Sequence, residues 1–273
     1  MSGPPLAAPR PTRLMDIVFP GDTNHHGTLF GGVGLACMDK VAFIAASRHA
    51  RVDFVTASCE RIDFVAPAHL GEIIELTGRV VRVGKRSLGA EVELVAEAPL
   101  SGERRLCSRG VFNMVAAGNG ANGGSHPLPP LPPSSPSSPS PSPSPPDGAS
   151  QEELCMAEIV FPGETSHYGS LYGGNALAAM GKAAFIAATR HCRKTVVMAS
   201  SRRVDFASQI QKGEIIYLAP RVVKVGHSSM TVEVRLSAEN PQSGKGRVCG
   251  GGVFVMVAVN ARHQPVAALA LAA

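Results

Sequence analysis

Leu35, Met38, Ala42, Ala45 and Ala46 fall at three- and four-residue spacing, the pattern of one apolar helix face. Val41, Phe43 and Ile44 fill much of the remaining circumference, so the spacing predicts a helix of about four to five turns wrapped by other structure, not laid on a surface. Upstream, the apolar run 14–19 reads as a short strand stopped by Pro20. A turn rich in Gly and Asn follows, and Gly31 or Gly32 permits close backbone approach where the helix begins. Downstream the period changes. Segments 52–65, 72–83, 87–98 and 104–116 alternate, most clearly in VRVG and EVELVAE, and turn residues at 67–71, 84–86 and 99–102 separate them. Four strands joined by antiparallel hairpins are expected.

The pattern then returns. FPGDTNHHGTLFGGVGLACMDKVAFIAASRH, from Phe19, reappears as FPGETSHYGSLYGGNALAAMGKAAFIAATRH from Phe161, and the match runs without a gap to Ala116 and Ala258 with roughly half of the positions identical. This is a duplicated domain, and each copy is long enough to bury its own core. The fold class expected is α+β, each copy a long central helix wrapped by a curled antiparallel sheet. The expected boundaries are a tail at 1–13, a first domain at 14–117, a linker at 118–150, a second domain at 151–260 and a tail at 261–273. The linker is Pro- and Ser-rich with almost nothing apolar to bury, which reads as an extended tether.

Composition narrows the function. A formal charge of +5 is mild and scattered, so nucleic acid is not an expected partner, although a local basic patch can receive a phosphorylated ligand. Trp is absent and aromatics are only 5%, which leaves the cores to Val, Ile, Leu, Ala and Met. The six cysteines form no C-x-x-C motif; reduced thiols and a cytoplasmic setting are expected. No apolar span reaches membrane length, and the opening MSGPPLAAPRPTR is short and broken by proline, which does not favour a transit peptide. His25, His49 and their counterparts His167 and His191 have no carboxylate or thiol cluster at ligand spacing, so no metal site is expected.

Taken as an ordered set present twice, DTNHHGTLFGG, MDK, SCERIDF and VRVGKRS in the first copy, with ETSHYGSLYGG, MGK, SSRRVDF and VKVGHSS in the second, resemble the hotdog-fold acyl-CoA thioesterases, in the branch with two hotdogs in one chain. The resemblance covers both copies. It implies two paired hotdogs with a continuous sheet, acyl-CoA as substrate, no cofactor, hydrolysis to a carboxylic acid and free CoA, and oligomers of such pairs. It also implies a carboxylate on the central helix, matched by Asp39, an asparagine in the preceding turn, matched by Asn24, and a backbone donor at the helix start, matched around Gly32.

The chemistry agrees. A thioester needs a donor for the charge developing on its oxygen and a base that orients water. Asp39 sits in an apolar helix, where desolvation raises a carboxyl pKa; a carboxylate merely tied to Lys40 or a neighbouring hydroxyl is the bland alternative. Asn24 is equally suited to an ordinary Asx-turn. The second copy departs from the pattern, with Gly181 at the Asp39 position and Ser166 at the Asn24 position. Three outcomes stay open: Ser166 serves beside Asp39, first copies meet between chains, or the protein is a catalytically degenerate acyl-CoA-binding or scaffold protein. For the CoA moiety the candidates are Arg82, Lys85, Arg86 and Ser87 around a Gly turn, their counterparts Lys224, His227, Ser228 and Ser229, and also Ser58 and Arg61.

Overall fold

The structure is a computed structural model that describes residues 11–117 and 154–268; the tether at 118–150 lies outside the described residues. The first half runs β1 (Thr12–Ile17), α1 (Gly31–Ala50), β2 (Phe54–Cys59), β3 (Ile62–Phe64), β4 (Ile73–Val83), β5 (Ser87–Glu97) and β6 (Arg104–Ala116). The second repeats it as β7 (Met156–Ile159), α2 (Gly173–Cys192), β8 (Val196–Phe206), β9 (Ile215–Val225), β10 (Ser229–Asn240) and β11 (Lys245–Ala258). A single 3-10 turn, Pro20–Asp22 or Pro162–Glu164, precedes each helix.

All strands join one antiparallel sheet in the order β1-β4-β5-β6-β2-β8-β11-β10-β9-β7, with β3 pairing β6 and β8. Each half curls its sheet around its own helix, which is the double-hotdog α+β fold. The seam between halves is short: Ser58 opposes Asp205 and Cys59 opposes Val204, then Ile62 opposes Ser201 and Asp63 opposes Ser200. The stretch 52–65, expected as one strand, divides at the exposed Glu60 and Arg61. Its counterpart β8 is unbroken, and the division is where the ladder passes from one pair of β8 residues to the next.

The helices explain the small residues. A Cβ at Gly32 would stand 3.0 Å from the carbonyl oxygen of Ala178, and one at Gly174 would stand 3.0 Å from that of Ala36. Each helix start is therefore pressed against the middle of the other helix, a contact that only glycine permits at that separation. Leu35, Met38, Val41, Ala42, Ala45 and Ala46 of α1 are buried against the sheet, as are their α2 equivalents. Both helices end on a left-handed arginine, Arg51 or Arg193, after a basic last turn that complements the helix dipole.

Candidate active site

The crossing of the helices decides what each site contains. Asp39 lies in the middle of α1 with no exposure, and its Oδ2 is 3.3 Å from where a Cβ on Gly173 would stand. Its neighbours thus come from the other half: Tyr172, Gly173 and Gly174 at the start of α2. From its own half, Thr56 on β2 donates a hydrogen bond of 2.7 Å to Oδ1. Burial pushes the Asp39 carboxyl up to about 6, while the hydroxyls of Thr56 and Tyr172 and the amide of Gly174 pull it back. That is a useful value for a base, since the group is mostly ionised at neutral pH yet binds a proton readily. Cys59 is pushed up to about 12 by burial and by Asp39 itself, and so remains a thiol.

Thr56, Tyr172 and Gly173 also line a cavity of about 850 Å3 between the halves. Ser166, Ser170, Leu171 and Ile210 line it from the second half, and Lys85, Arg86 and Ser87 from the first. One guanidinium nitrogen of Arg86 is buried without a partner. The cavity therefore has a cationic rim, apolar walls and a carboxylate behind one wall. It is large enough for a flexible organic ligand.

Pseudo-symmetry gives a second cavity of about 360 Å3 with different chemistry. Where the first has Asp39, Thr56 and Tyr172, the second has Gly181, Met198 and Phe30. The Met198 methyl is 3.0 Å from where a Cβ on Gly181 would stand, so the space of the carboxylate and its partner is occupied by a thioether. Val259, His263 and Pro265 line this cavity. The chain around them is tied down by hydrogen bonds from Val259 N to Thr195 O (2.9 Å), Val266 N to Ala258 O (2.9 Å) and Ala268 N to His227 O (2.6 Å). His263 also packs against His26 and His69 of the first half.

The expected site residues are thereby sorted. Asp39 and Ser166 belong to the first cavity. Asn24 lines the second, and its side chain is engaged in its own turn, donating to Thr28 Oγ1 (2.9 Å) and accepting from His26 N (2.9 Å). Gly32 is not brought to Asp39: it abuts Ala178 and Gly181, because each helix start faces the opposite helix, and Gly173 and Gly174 stand where Gly32 was expected. Of the CoA candidates, Lys85, Arg86 and Ser87 reach the first cavity. Arg61 is paired with Asp63, Arg82 with Glu60 and Asn113, and Ser58 accepts from Asn113 (3.0 Å). Lys224, His227, Ser228 and Ser229 are not among the residues lining either cavity, and the His227 carbonyl is bonded to Ala268. Thr56 and Tyr172 were missed from the sequence. The signal was available in the repeat itself, since both are polar in the copy facing the acid and apolar in its counterpart.

The chain is similar to known proteins. The model of the thioesterase superfamily matches residues 26–102 and 168–245. The cytosolic acyl coenzyme A thioester hydrolase of Rattus norvegicus is 23% identical over 283 residues, covering 91% of this chain and 74% of that protein. An uncharacterized acyl-CoA thioester hydrolase of Bacillus subtilis is 39% identical over 99 residues, covering 36% of this chain and 58% of its own. Among solved structures, an acyl-CoA hydrolase from Agrobacterium tumefaciens is 48% identical, with 94% of this chain and 97% of that chain covered, at a TM-score of 0.41.

Proposed function

The chain belongs to the thioesterase superfamily, and from that premise we propose that it hydrolyses the thioester of a fatty acyl-CoA to a carboxylic acid and free CoA, at one site per chain. The observation that carries this reading is the buried Asp39, facing the start of the other half's helix beside a cavity with a cationic rim. Asp39 takes a proton from water as the water oxygen attacks the carbonyl carbon. The amide of Gly173, which lines the cavity at the start of α2, receives the developing oxyanion. The intermediate then collapses with cleavage of the carbon–sulfur bond, and the departing thiolate recovers the proton from Asp39. Thr56 bonds the carboxylate on one side and lines the cavity on the other, so it links Asp39 to the water. Ser166 supplies a hydroxyl toward the substrate. Lys85 and Arg86 hold CoA phosphate, a role supported by the unpartnered Arg86 nitrogen. Water and substrate suffice, and no cofactor is needed.

The test is to mix the purified chain with acyl-CoA of several lengths and a thiol reagent, and to follow release of free CoA. Release supports the reading. Absence of release at every length, with binding retained in a titration, would leave an acyl-CoA-binding protein without turnover. No described helix is long and apolar enough to cross a membrane. A cytoplasmic setting fits the six unpaired cysteines, and cell fractionation tests it. Self-association is supported by Met15, Ile17 and Phe19 near one outer edge of the sheet and Ile159 and Phe161 near the other, all exposed; a monomer mass by light scattering would overturn it.

A further inference from the structure

Two buried polar atoms in the same place make no hydrogen bond of normal geometry, although each is near enough to shift the other's pKa: Oδ2 of Asp39 and the hydroxyl of Tyr172. Buried polar groups without partners are rare and costly, and a single contact between these two would satisfy both. The other carboxylate oxygen already accepts from Thr56. Tyr172 directly precedes Gly173, whose backbone lies against Oδ2, and Phe43 packs edge-on against the Tyr172 ring at 6.3 Å between centroids, holding it toward α1. The repeat supplies an independent observation: where the carboxylate is replaced by Gly181, the tyrosine is replaced by Phe30.

We propose that Tyr172 is a positioning residue for Asp39, its hydroxyl donating to Oδ2 while Thr56 donates to Oδ1, so that one hydroxyl from each half fixes the plane of the carboxylate toward the cavity. This rests on the reading of Asp39 as the base. The phenol stays protonated, because burial and the Asp39 charge both push it up. It can donate to the ionised carboxylate and not to the substrate at the same time. The groups facing Asp39 are Thr56 and Cys59 from the first half and Tyr172 and the Gly174 amide from the second; no cation among the described residues faces it. Cys37 lies on the Tyr172 side and remains a thiol, raised by burial. With no cation to favour the charged form, the hydroxyl donors carry that task, and loss of one favours the neutral acid.

Tyr172→Phe removes one oxygen and keeps the packed ring. In the full chain, hydrolysis is measured between pH 4.5 and 8 at saturating and subsaturating acyl-CoA. The expected result is kcat lowered about fivefold at pH 6, KM unchanged, and the acid limb of kcat moved upward by about one pH unit. A kcat loss with the acid limb unmoved would overturn the proposal, since it would mean that the phenol acts on the substrate or only packs. An unchanged kcat would overturn it too. A second readout needs no turnover: the Asp39 carboxyl, identified in carbon-13 spectra by its loss in Asp39→Asn, is expected to titrate at higher pH in Tyr172→Phe than in the parent. Equal midpoints overturn the contact. Should Asp39→Asn itself hydrolyse normally, the base assignment fails, while the spectroscopic comparison still decides whether Tyr172 bonds the carboxylate.

Discussion

Asp39→Asn separates a working base from a carboxylate that only packs, because the two roles move activity and stability differently. The amide keeps the volume and still accepts from Thr56 through its oxygen, but it takes no proton. The shift from 3.8 to about 6 corresponds to about 3 kcal/mol against the ionised folded state at neutral pH. The sign follows from the raised value: relative to the neutral acid, stability is fully present below pH 3.8 and is lost as pH rises through about 6. Asparagine does not titrate and escapes that loss. Asp39→Asn is therefore expected to be more stable than the parent above pH 6, by several degrees in Tm, with the advantage vanishing near pH 4. Turnover is expected to fall on the order of a thousandfold, with acyl-CoA affinity nearly intact. In the parent, the ionised fraction implies kcat about tenfold lower at pH 5 than at pH 7. The assays are thiol release across that pH range, a binding titration and thermal melts at pH 4 and pH 7.5. Undiminished hydrolysis, or a variant less stable than the parent at pH 7.5, would refute the reasoning.

Gly181→Asp alone is expected to create no second site, because the new carboxylate meets the Met198 methyl and has no hydroxyl partner; titration with CoA should still give one equivalent per chain, and two would refute the placement. Arg247→Ala strips the bidentate partner from Glu214, whose oxygens lie 2.7 and 2.8 Å from the guanidinium. Allowing for the partly exposed arginine, denaturation at pH 7 should read about 2 kcal/mol of lost stability. Because Arg247 holds the Glu214 carboxyl below its usual range, that deficit should shrink as pH falls below 4.5 and the bond is lost from the parent as well.

The helix, the strands and the duplication were legible because period 3.6, period 2 and a repeated motif are each written in residue order. Asp39 was legible for a similar reason, being the carboxylate in an otherwise apolar helix. The position of Gly32 was not. Nothing local says that a helix start will face the middle of the other helix, and that crossing puts Gly173, not Gly32, beside Asp39. Thr56 lies in a strand segment and Tyr172 in a turn, and neither was singled out, since each acquires its partner only when the halves pair. Neither the ladder division at Glu60 and Arg61 nor the path of residues 259–268 over the second cavity has a periodic signature.

Asymmetry between the two cavities follows from what a buried acid costs. About 3 kcal/mol is a large fraction of the stability of a typical domain, and a symmetric pair would bear it twice. Gly181 removes the second charge, but a glycine alone would leave a void beside Thr and Tyr hydroxyls that had lost their acceptor, each of them then an unpaired buried group. Met198 and Phe30 answer both problems, filling the volume and removing the donors. The chain at 259–268 completes the change from outside: the hairpin that brings Lys85 and Arg86 to the first cavity has His227 and Ser228 in the second half, which line neither cavity, and the His227 carbonyl is bonded to Ala268. Acid, donors and cationic rim have changed together at one cavity and persist together at the other. A concerted change of that kind is what separate requirements of one reaction impose, since a lone base or a lone phosphate-binding rim has no use without the rest.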